Sequence, residues 1–196
     1  MTSQTIVKME GISKAFAGIK ALDNVQIDLR QGEIHALMGE NGAGKSTLMK
    51  IMTGVYTRDS GKMYLQNQSS NQLEEVEIKS PLVGQKLGLS MVFQEFNLLE
   101  NMNIAENIAF GLKIKGKSKS YIQDKIKYAL KLVNLDGFEN RSIDSLSGGQ
   151  QQKVYLAMAL AQETESVFMD EPTTWLDVRH QLEVMRTARA LAENGR

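Results

Sequence analysis

The chain has 196 residues, of which 42% are hydrophobic and 23% are charged, a composition that indicates a folded globular domain rather than a disordered segment. Lysine and arginine number 23, as do aspartate and glutamate, so the net charge is zero. This balance argues against a dedicated nucleic-acid-binding protein, which usually carries a basic excess. The absence of cysteine excludes disulfides and thiolate metal sites. Because no run approaches the ~20 apolar residues that cross a bilayer, we predict a protein that is soluble or meets a membrane only through a partner.

Short β-like runs alternate with amphipathic helical patterns along the chain. The predicted strands lie at residues 6–9, 25–29, 34–38, 62–66, 89–93 and 167–169, and the predicted helices at residues 45–52, 103–110, 121–133, 148–162 and 179–193. This alternation favours an α/β fold with a largely parallel sheet, to which the early strands add an antiparallel edge. We expect one domain, 1–196, with its core in residues 1–94 and 163–196 and a helical subdomain in residues 95–162.

Residues 39–46 read GENGAGKS and match the phosphate-loop pattern G-x-x-x-x-G-K-[ST]. Glycines let successive backbone N–H groups face an anion, and the following helix adds its N-terminal partial positive charge. The pattern has this meaning only between a strand and a helix start, and the alternative is a glycine-rich turn that merely joins the two. We expect Lys45 to reach the β- and γ-phosphates of a nucleotide, and Ser46 to place its hydroxyl on Mg²⁺. The candidate nucleotide-binding residues of the loop are Gly39, Glu40, Asn41, Gly42, Ala43, Gly44, Lys45, Ser46 and Thr47.

A basic run, KIKGKSKS, occupies residues 113–120. It is poor in apolar residues and is broken by Gly116. Two interpretations stay open: a solvated loop between helices, or a patch that faces phosphate groups or lipid.

Asp170 and Glu171 follow the apolar run SVFM at residues 166–169. A buried strand delivers the residues after it to the carboxyl edge of its sheet, where ligands bind in α/β folds. We expect Asp170 to hold Mg²⁺ through water, and Glu171 to act as a general base on the attacking water. An isolated acidic pair is otherwise ordinary surface charge, and the phosphate loop earlier in the chain is what favours the catalytic interpretation.

Residues 146–150 read LSGGQ and precede the helical pattern QQKVYLAMALAQ. The ordered set of phosphate loop, Gln94, LSGGQ and acidic pair resembles the nucleotide-binding domains of ABC transporters over nearly the whole chain. The resemblance implies an α/β P-loop NTPase fold with a RecA-like parallel sheet core, an antiparallel β edge and an α-helical subdomain. It also implies that Ser147, Gly148, Gly149 and Gln150, at a helix start, face the γ-phosphate of an ATP held by a second ATP-binding domain.

Three further residues match functional positions of that family. Gln94 matches the glutamine that senses Mg²⁺ and the attacking water and that links to the transmembrane partner. Phe16 matches the aromatic residue that stacks on adenine, and the alternative is a core phenylalanine. Asp177 matches the aspartate that contacts the opposite protomer. Trp175, close before it, is bulkier than the small residue that most relatives carry.

The resemblance has two subfamily components. Residues 18–56, 79–95 and 102–111 resemble the first ATPase domain of bacterial ribose- and galactose-type sugar importers, whereas residues 146–162 and 170–196 are more similar to ATPases of iron-siderophore importers. Two explanations stay open: an unusual member of the family, or a composite whose junction lies between residues 111 and 146. Neither likeness fixes the substrate, because the transmembrane and binding-protein partners select it.

In the family, a histidine that contacts the γ-phosphate follows the catalytic glutamate after one more strand. The chain ends at Arg196, before that strand, so the resemblance implies a C-terminally truncated domain with impaired hydrolysis. Lost strand pairing would also expose a sheet edge and apolar surface, so we expect marginal stability or aggregation of this chain alone. Neither histidine of the chain matches the missing position: we expect His35 to be packed in the strand before the phosphate loop and His180 to be exposed.

Together these features predict the ATP-binding subunit of a bacterial ABC importer that uses ATP and Mg²⁺ and forms ADP and phosphate. The expected partners are a second ATP-binding domain, a membrane permease docked near residues 94–102 and, indirectly, a substrate-binding protein, with no nucleic acid. The expected location is the cytoplasmic face of the cell membrane. One alternative is a truncated module that binds ATP without turnover. Another is a soluble ABC ATPase of DNA repair or translation, against which the absence of long insertions and tandem domains argues.

Overall fold

The computed structural model describes residues 4–67, 69–93, 98–174 and 176–193, in which strands and helices alternate. In chain order the elements are β1 (Thr5–Phe16), β2 (Ile19–Arg30), α1 (Lys45–Met52), β3 (Ser60–Gln66), β4 (Leu73–Glu75), α2 (Pro81–Lys86), β5 (Leu89–Val92), α3 (Ile104–Ile114), α4 (Lys119–Leu132), a 3-10 helix (Ile143–Ser145), α5 (Gly148–Ala161), β6 (Ser166–Met169) and α6 (Val178–Glu193). Across these described ranges, no helix combines the length and the apolar composition that a membrane crossing requires.

The helices predicted from hydrophobic periodicity are all present, as α1, α3, α4, α5 and α6. Three short elements, β4, α2 and the 3-10 helix, were not predicted. The start of α2 nevertheless carries ordinary signals, because Ser80 accepts a hydrogen bond from the Val83 N–H at 3.4 Å and Pro81 occupies the first turn.

The described residues fall into two compact units. One comprises the residues up to Leu89 together with those from Leu191 onward, and the other comprises Ser90–Ala190. The second unit therefore contains all of β5 except Leu89, together with β6, the acidic pair and the helices around the LSGGQ segment. The predicted division into a core and a helical subdomain stays a prediction.

The first unit is built on an antiparallel sheet in the order β2-β1-β3-β4. Val7 and Met9 of β1 pair with Leu65 and Met63 of β3, and all four side chains are buried. Cross-strand apolar pairs of this kind are the unit of sheet stabilisation. The buried side chains of α1 are Leu48, Met49, Ile51 and Met52.

Residues 34–38, predicted as a buried strand, do not form one. Ile34 is 57% and Met38 is 88% exposed, and no strand in the described part of the chain pairs with this segment. The prediction was wrong because apolar composition marks a segment for burial but does not supply the neighbouring backbone groups that a strand needs. His35, expected to be packed, is exposed, with Nδ1 3.0 Å from Glu33 Oε1.

In the second unit, the two strands β5 and β6 form a small sheet of their own. Near the start of β5, the Ser90 hydroxyl bonds to the Thr164 hydroxyl at 2.6 Å and to the Ser166 carbonyl at 3.4 Å. At the other end of the sheet, the N–H of Asp170, which directly follows β6, donates to the carbonyl of Val92, the last residue of β5, at 2.9 Å. The starts of β5 and β6 are therefore adjacent, and so are their ends. The two strands run parallel, as the alternation of strands and helices predicts.

Helices α3, α4 and α5 pack against one another in the same unit. Their fully buried apolar residues include Ile104, Ile108, Leu112, Ala129, Leu130, Val154 and Leu160. The α3 positions recur every four residues. With the buried Ile122 and Ile126 of α4 and Ala157 of α5, the other two helices show a spacing of three or four residues, which is that of a core-facing stripe.

One polar residue, Asn107 of α3, lies fully inside this helical core. Its Oδ1 accepts from the Leu99 N–H at 2.8 Å. Its Nδ2 donates to the carbonyls of Leu99, Met102 and Asn103 at 3.1, 3.2 and 3.0 Å. A buried amide that satisfies its bonding groups in this way fixes the chain it contacts, so the segment from residue 98 to 103 is held on α3.

Candidate nucleotide-binding and catalytic residues

The phosphate-loop residues lie in the first unit, immediately before α1, although the segment before them does not form the strand expected there. Gly42 and Gly44 adopt left-handed φ angles of 85° and 88°, which glycine reaches without steric cost. Lys45 folds back over the loop, and its Nζ donates to the Gly39 carbonyl at 2.8 Å and to the Glu40 carbonyl at 2.9 Å. The ammonium group is therefore held at the loop itself.

The start of α1 fits an anion. Gly44 precedes the helix and supplies no side-chain cap, and the first turn contains no acidic residue, so no carboxylate competes for the helix N-terminus. A Cβ at Gly44 would lie 2.5 Å from the Ala21 carbonyl oxygen and 2.7 Å from Leu22 Cδ2, so the loop lies directly against β2. With Lys45 as a cationic donor, this cradle fits the phosphates of a nucleotide.

Phe16 lies at the end of β1, in the same unit. It is 40% exposed, which excludes the alternative of a core phenylalanine. Its ring meets Tyr56 edge to face with centroids 5.2 Å apart, and Lys14 Nζ lies 5.5 Å from its centroid. An exposed ring at a strand end is available to stack on a base, and stacking on adenine stays a prediction.

Asp170 and Glu171 follow β6, in the second unit, where the sequence predicts them. Asp170 is 3% exposed, and its N–H bond to the Val92 carbonyl fixes it beside the end of β5. Glu171 is exposed and adopts a left-handed φ of 46°. That conformation costs a residue other than glycine about 1–3 kcal/mol and occurs preferentially at functional sites. The Thr174 hydroxyl holds the Glu171 carboxylate by donating to Oε2 at 3.0 Å.

The chemistry of Ser46 and Asp170 suits Mg²⁺. This ion takes oxygen ligands and usually combines one or two carboxylates with water and substrate phosphates. No three His, Cys, Asp or Glu side chains come together as a metal-binding group in the residues that the structure describes. The Ser46 hydroxyl and the Asp170 carboxylate are each an oxygen donor of the kind that accompanies nucleotide-bound Mg²⁺, and their meeting at one ion stays a prediction. Gln94, the remaining predicted ligand, lies outside the described residues, as does Trp175.

The LSGGQ segment forms the start of α5. Ser147 Oγ accepts from the Gln150 N–H at 3.3 Å, and Gln150 Oε1 accepts from the Ser147 N–H at 3.0 Å. This reciprocal capping box was not predicted, although the S-x-x-Q spacing that signals it is present in the sequence. Because Ser147 and Gln150 satisfy each other, the N–H groups of Gly148 and Gly149 are the donors that the first turn presents.

His180, expected to be exposed, is packed between Asp177 and the start of α5. Its Nδ1 lies 2.8 Å and 2.9 Å from the two Asp177 carboxylate oxygens, and its backbone N–H donates to Asp177 Oδ1 at 2.9 Å. Its ring lies against Gly149, and only 28% of the side chain is exposed. The backbone and ring bonds from His180 hold the pKa of Asp177 below its usual value. The prediction was wrong because nothing in the sequence shows that the glycine leaves room for this ring.

Two further contacts join α5 to its neighbours. The buried Gln152 side chain donates to the Pro172 carbonyl, which ties α5 to the segment that follows the acidic pair. Lys153 forms an ion pair with Glu183 of α6 at 2.5 Å, and the two side chains are only 12% and 22% exposed. The bond from Lys153 lowers the pKa of Glu183. Helix α5, the acidic segment and α6 therefore share one packed arrangement.

The phosphate loop that opens α1 and the glycine-rich start of α5 define a nucleotide-binding protein of the P-loop class. The ABC transporter family model matches residues 22–174, and the chain belongs to the ABC transporter family. A putative ribose/galactose/methyl galactoside import ATP-binding protein 2 of Burkholderia cenocepacia (strain HI2424) is 37% identical over 199 residues, which cover 99% of this chain and 38% of that protein. The spermidine/putrescine import ATP-binding protein PotA of Clostridioides difficile (strain 630) is 38% identical over 181 residues, with 92% and 50% covered. The chain thus spans half or less of the length of these curated relatives.

Solved structures of ATP-binding cassettes share the fold. The ADP conformation of MJ1267, an ATP-binding cassette of an ABC transporter, superimposes with a TM-score of 0.87 at 27% identity and covers 98% of this chain and 79% of its own. The dimeric post-hydrolysis state of the cassette MJ0796, bound to ADP and Pi, gives a TM-score of 0.82 at 28% identity, covering 97% and 84%. The predicted α/β P-loop NTPase fold is confirmed.

The predicted site residues fall into two groups along the chain. Phe16 and the phosphate loop belong to the first unit, whereas the LSGGQ segment, the acidic pair and Asp177 belong to the second. Within the second unit, the structure adds His180 and Gln152, which the sequence analysis did not place at the site. Convergence of the two groups on one nucleotide stays a prediction.

Proposed function

We propose that this chain is the ATP-binding part of a bacterial ABC importer, and that it binds ATP with Mg²⁺ and hydrolyses ATP to ADP and phosphate. The observation that carries this proposal is the phosphate loop, where Lys45 and the uncapped start of α1 form a cationic cradle for a polyphosphate. Relatives named as import ATP-binding proteins, and a cassette structure that holds ADP and Pi, support it.

Each candidate residue has a distinct task in the proposed reaction. Lys45 and the loop N–H groups bind the β- and γ-phosphates, and Phe16 stacks on the adenine. Glu171 accepts a proton from the attacking water as the water oxygen bonds to the γ-phosphorus and the bond to the β–γ bridging oxygen breaks. Ser46, Asp170 and Gln94 would hold Mg²⁺, which would supply neutralisation of the phosphate charge. Catalysis is then positioning and charge stabilisation, as in other phosphoryl transfers.

The site is completed by a second ATP-binding domain. Ser147 and the N–H groups of Gly148 and Gly149 of one copy face the γ-phosphate held by the other, and Asp177 contacts the opposite copy. The capped start of α5, with two glycine N–H groups left as donors, supports this assignment. The dimeric form of a similar cassette supports the pairing.

We also propose the remaining partners and the substrate. A membrane permease docks near residues 94–102 on the cytoplasmic face of the membrane, and a substrate-binding protein acts through it. Asn107 holds the described part of this segment on α3, which supports a preformed docking surface. A sugar is the favoured substrate, because the relative that covers 99% of the chain is named for ribose and galactose import; a polyamine or an iron-siderophore is the alternative.

A second candidate, a module that binds ATP without turnover, is favoured by the sequence positions of the two histidines. His35 Nδ1 is paired with Glu33, and His180 Nδ1 is paired with Asp177. These pairs use Nδ1 alone and leave Nε2 of each ring outside them, so the support for this candidate is that neither histidine matches the family position of the histidine that contacts the γ-phosphate.

Steady-state phosphate release from Mg²⁺-ATP separates the two candidates. Lys45→Ala is compared with Lys50→Ala, which removes a lysine of the same helix whose Nζ lies over the Tyr56 ring. Glu171→Gln is compared with Glu165→Gln, an exposed glutamate shortly before β6. Turnover that vanishes in Lys45→Ala and Glu171→Gln but persists in both controls supports the ATPase. Lys45-dependent binding of ATP without turnover supports the binding module, and no binding at all overturns both.

A further inference from the structure

A basic surface covers the end of α3, the following loop and α4. Residues 113–131 contain seven lysines and one aspartate, a charge of 7 − 1 = +6, in a chain whose net charge is zero. The lysines are Lys113, Lys115, Lys117, Lys119, Lys125, Lys127 and Lys131. The rest of the chain therefore carries −6, so net positive charge is concentrated in this one segment.

Carboxylates of the protein leave most of this charge uncompensated. Within the described residues, Lys125 alone of the seven forms an ion pair, with Glu163. Lys115 is half-buried, and its pKa is lowered first by that burial and then by the positive charge of Lys117. Both causes disfavour the charged ammonium group, and no carboxylate is among the causes of the shift.

Exposed apolar and aromatic side chains lie among these lysines. On α3, Ile114 is 68% and Phe110 is 41% exposed, and their spacing of four residues puts them on one face of the helix. On α4, Lys125 Nζ lies 5.1 Å from the centroid of Tyr121 and 5.7 Å from that of Tyr128. Tyrosine rings beside lysine ammonium groups, next to exposed aliphatic side chains, are the composition of a membrane-interface surface.

We propose that this basic surface, residues 110–131, binds the surface of an anionic lipid bilayer. Lysines near such a surface gain from its negative potential, while Ile114 and Phe110 enter the interfacial layer. Residues 110–131 contain no arginine. Sites that bind a single phosphate group favour arginine, because its guanidinium group can donate two hydrogen bonds to the phosphate. Dispersed lysines accompanied by the exposed apolar side chains of Phe110 and Ile114 match a lipid surface better than a nucleic acid. The contact would orient the protein at a membrane independently of a permease.

The test is co-sedimentation of the full chain with lipid vesicles. Vesicles of phosphatidylcholine with phosphatidylglycerol are compared with phosphatidylcholine alone, at low and high salt. The proposal expects binding to the anionic vesicles only, weakened at high salt because the attraction is screened. Equal binding to both vesicle types, or no binding to the anionic ones, overturns it.

The variant Lys113→Gln/Lys119→Gln/Lys127→Gln removes three exposed lysines of the surface, and Lys62→Gln/Lys79→Gln/Lys86→Gln removes three exposed lysines elsewhere. Each lysine near an anionic surface contributes about a fivefold factor in partitioning. We therefore expect the first variant to lose about 100-fold and the second, of equal net charge, to lose little. Equal losses overturn the proposal.

Ile114→Ser tests the apolar part of the surface without changing charge. It is expected to weaken binding to anionic vesicles while leaving the salt dependence unchanged, because the lysines remain. Circular dichroism confirms that each variant keeps its helices. Binding of the wild-type chain to single-stranded DNA or to polyglutamate, in the absence of vesicle binding, would assign the surface to another class of partner and overturn the lipid assignment.

Discussion

The imidazole of His180 occupies the space that a side chain at Gly149 would need. A Cβ at residue 149 would lie 2.9 Å from His180 Cδ2 and 3.0 Å from Cγ, closer than real Cβ contacts allow. The same ring is held by Asp177, whose carboxylate oxygens are 2.8 and 2.9 Å from Nδ1. One histidine ring therefore packs against Gly149 of the LSGGQ segment and also pairs with the Asp177 carboxylate.

Gly149→Ala is therefore expected to displace His180 and to destabilise the protein by about 1–3 kcal/mol, the usual cost of overpacking. Urea unfolding followed by circular dichroism measures the change. Gly148→Ala is the matched control, because a Cβ there meets nothing within 4 Å. Equal stability of the two variants would show that the ring moves aside without cost. His180→Ala combined with Gly149→Ala is expected to recover much of the loss, since the clash is then removed.

The ion pair between Lys153 and Glu183 predicts a loss of stability in acid. The pKa of Glu183 is lowered in the folded state from its ordinary 4.5, so the folded state binds this proton less readily than the unfolded state. The stabilisation is therefore fully present above about pH 4.5 and is lost as the pH falls through the lowered folded value. Urea unfolding at a series of pH values from neutral to acidic measures it.

Glu183→Gln should lower stability at neutral pH and flatten the acid dependence, because it removes the titrating group of the pair. Glu165→Gln is the control, since Glu165 is exposed and surface charges contribute little. A Glu183→Gln variant whose stability falls in acid as steeply as the wild type would assign the acid sensitivity to other carboxylates, such as Asp177.

Two glycines of the phosphate loop separate the effect of backbone strain from that of steric contact. Gly42 and Gly44 have nearly the same left-handed φ, 85° and 88°, so alanine is strained equally at both. A Cβ at Gly44 would lie 2.5 Å from the Ala21 carbonyl oxygen, whereas a Cβ at Gly42 meets nothing within 4 Å. Gly44→Ala is therefore expected to lose more stability and more ATP affinity than Gly42→Ala. Calorimetric titration with Mg²⁺-ATP compares the ATP affinities of the two variants, and urea unfolding compares their stabilities. Equal values for both variants would show that the backbone at residue 44 shifts to accommodate the added Cβ without cost.

How far the sequence predicts this molecule depends on whether a signal is local. The helix at 45–52 is confirmed at its predicted bounds, because a phosphate loop followed by an amphipathic run carries its own start signal. The segment 34–38 carries an equally clear apolar signal, yet Met38 is 88% exposed. A strand depends on hydrogen bonds to a distant segment, and that partner cannot be read from the strand itself.

The candidate site shows the same division. The positions of Lys45 and Glu171 follow from short motifs, and the capping box between Ser147 and Gln150 was available from the S-x-x-Q spacing. The packing of His180 against Gly149 brings together residues that are 31 positions apart in the sequence, 180 − 149. It is possible because glycine has no side chain. Periodicity and motif spacing carry no information on such a contact.

The buried amide of Asn107 offers the sharpest test of the segment proposed to meet a permease. Asn107→Ala leaves the Leu99 N–H and the carbonyls of Leu99 and Met102 without the amide that satisfies them. Each unsatisfied buried group costs about 1–3 kcal/mol, and with partial relaxation we expect a total loss of about 2–4 kcal/mol. Asn101→Ala, at an exposed asparagine of the same segment, is expected to change stability by less than about 0.5 kcal/mol.

Hydrogen exchange distinguishes loss of this anchor from general destabilisation. In Asn107→Ala the Leu99 amide should exchange faster than the global unfolding rate allows, because the segment detaches from α3 while the helix stays folded. If Leu99 and the core of α3 gain exchange by the same factor, the amide stabilises the fold as a whole and does not specifically hold this segment. If the Leu99 amide alone exchanges faster, we also expect Asn107→Ala to assemble less with a permease while its ATP binding is unchanged. The docking surface and the phosphate loop are different parts of the chain.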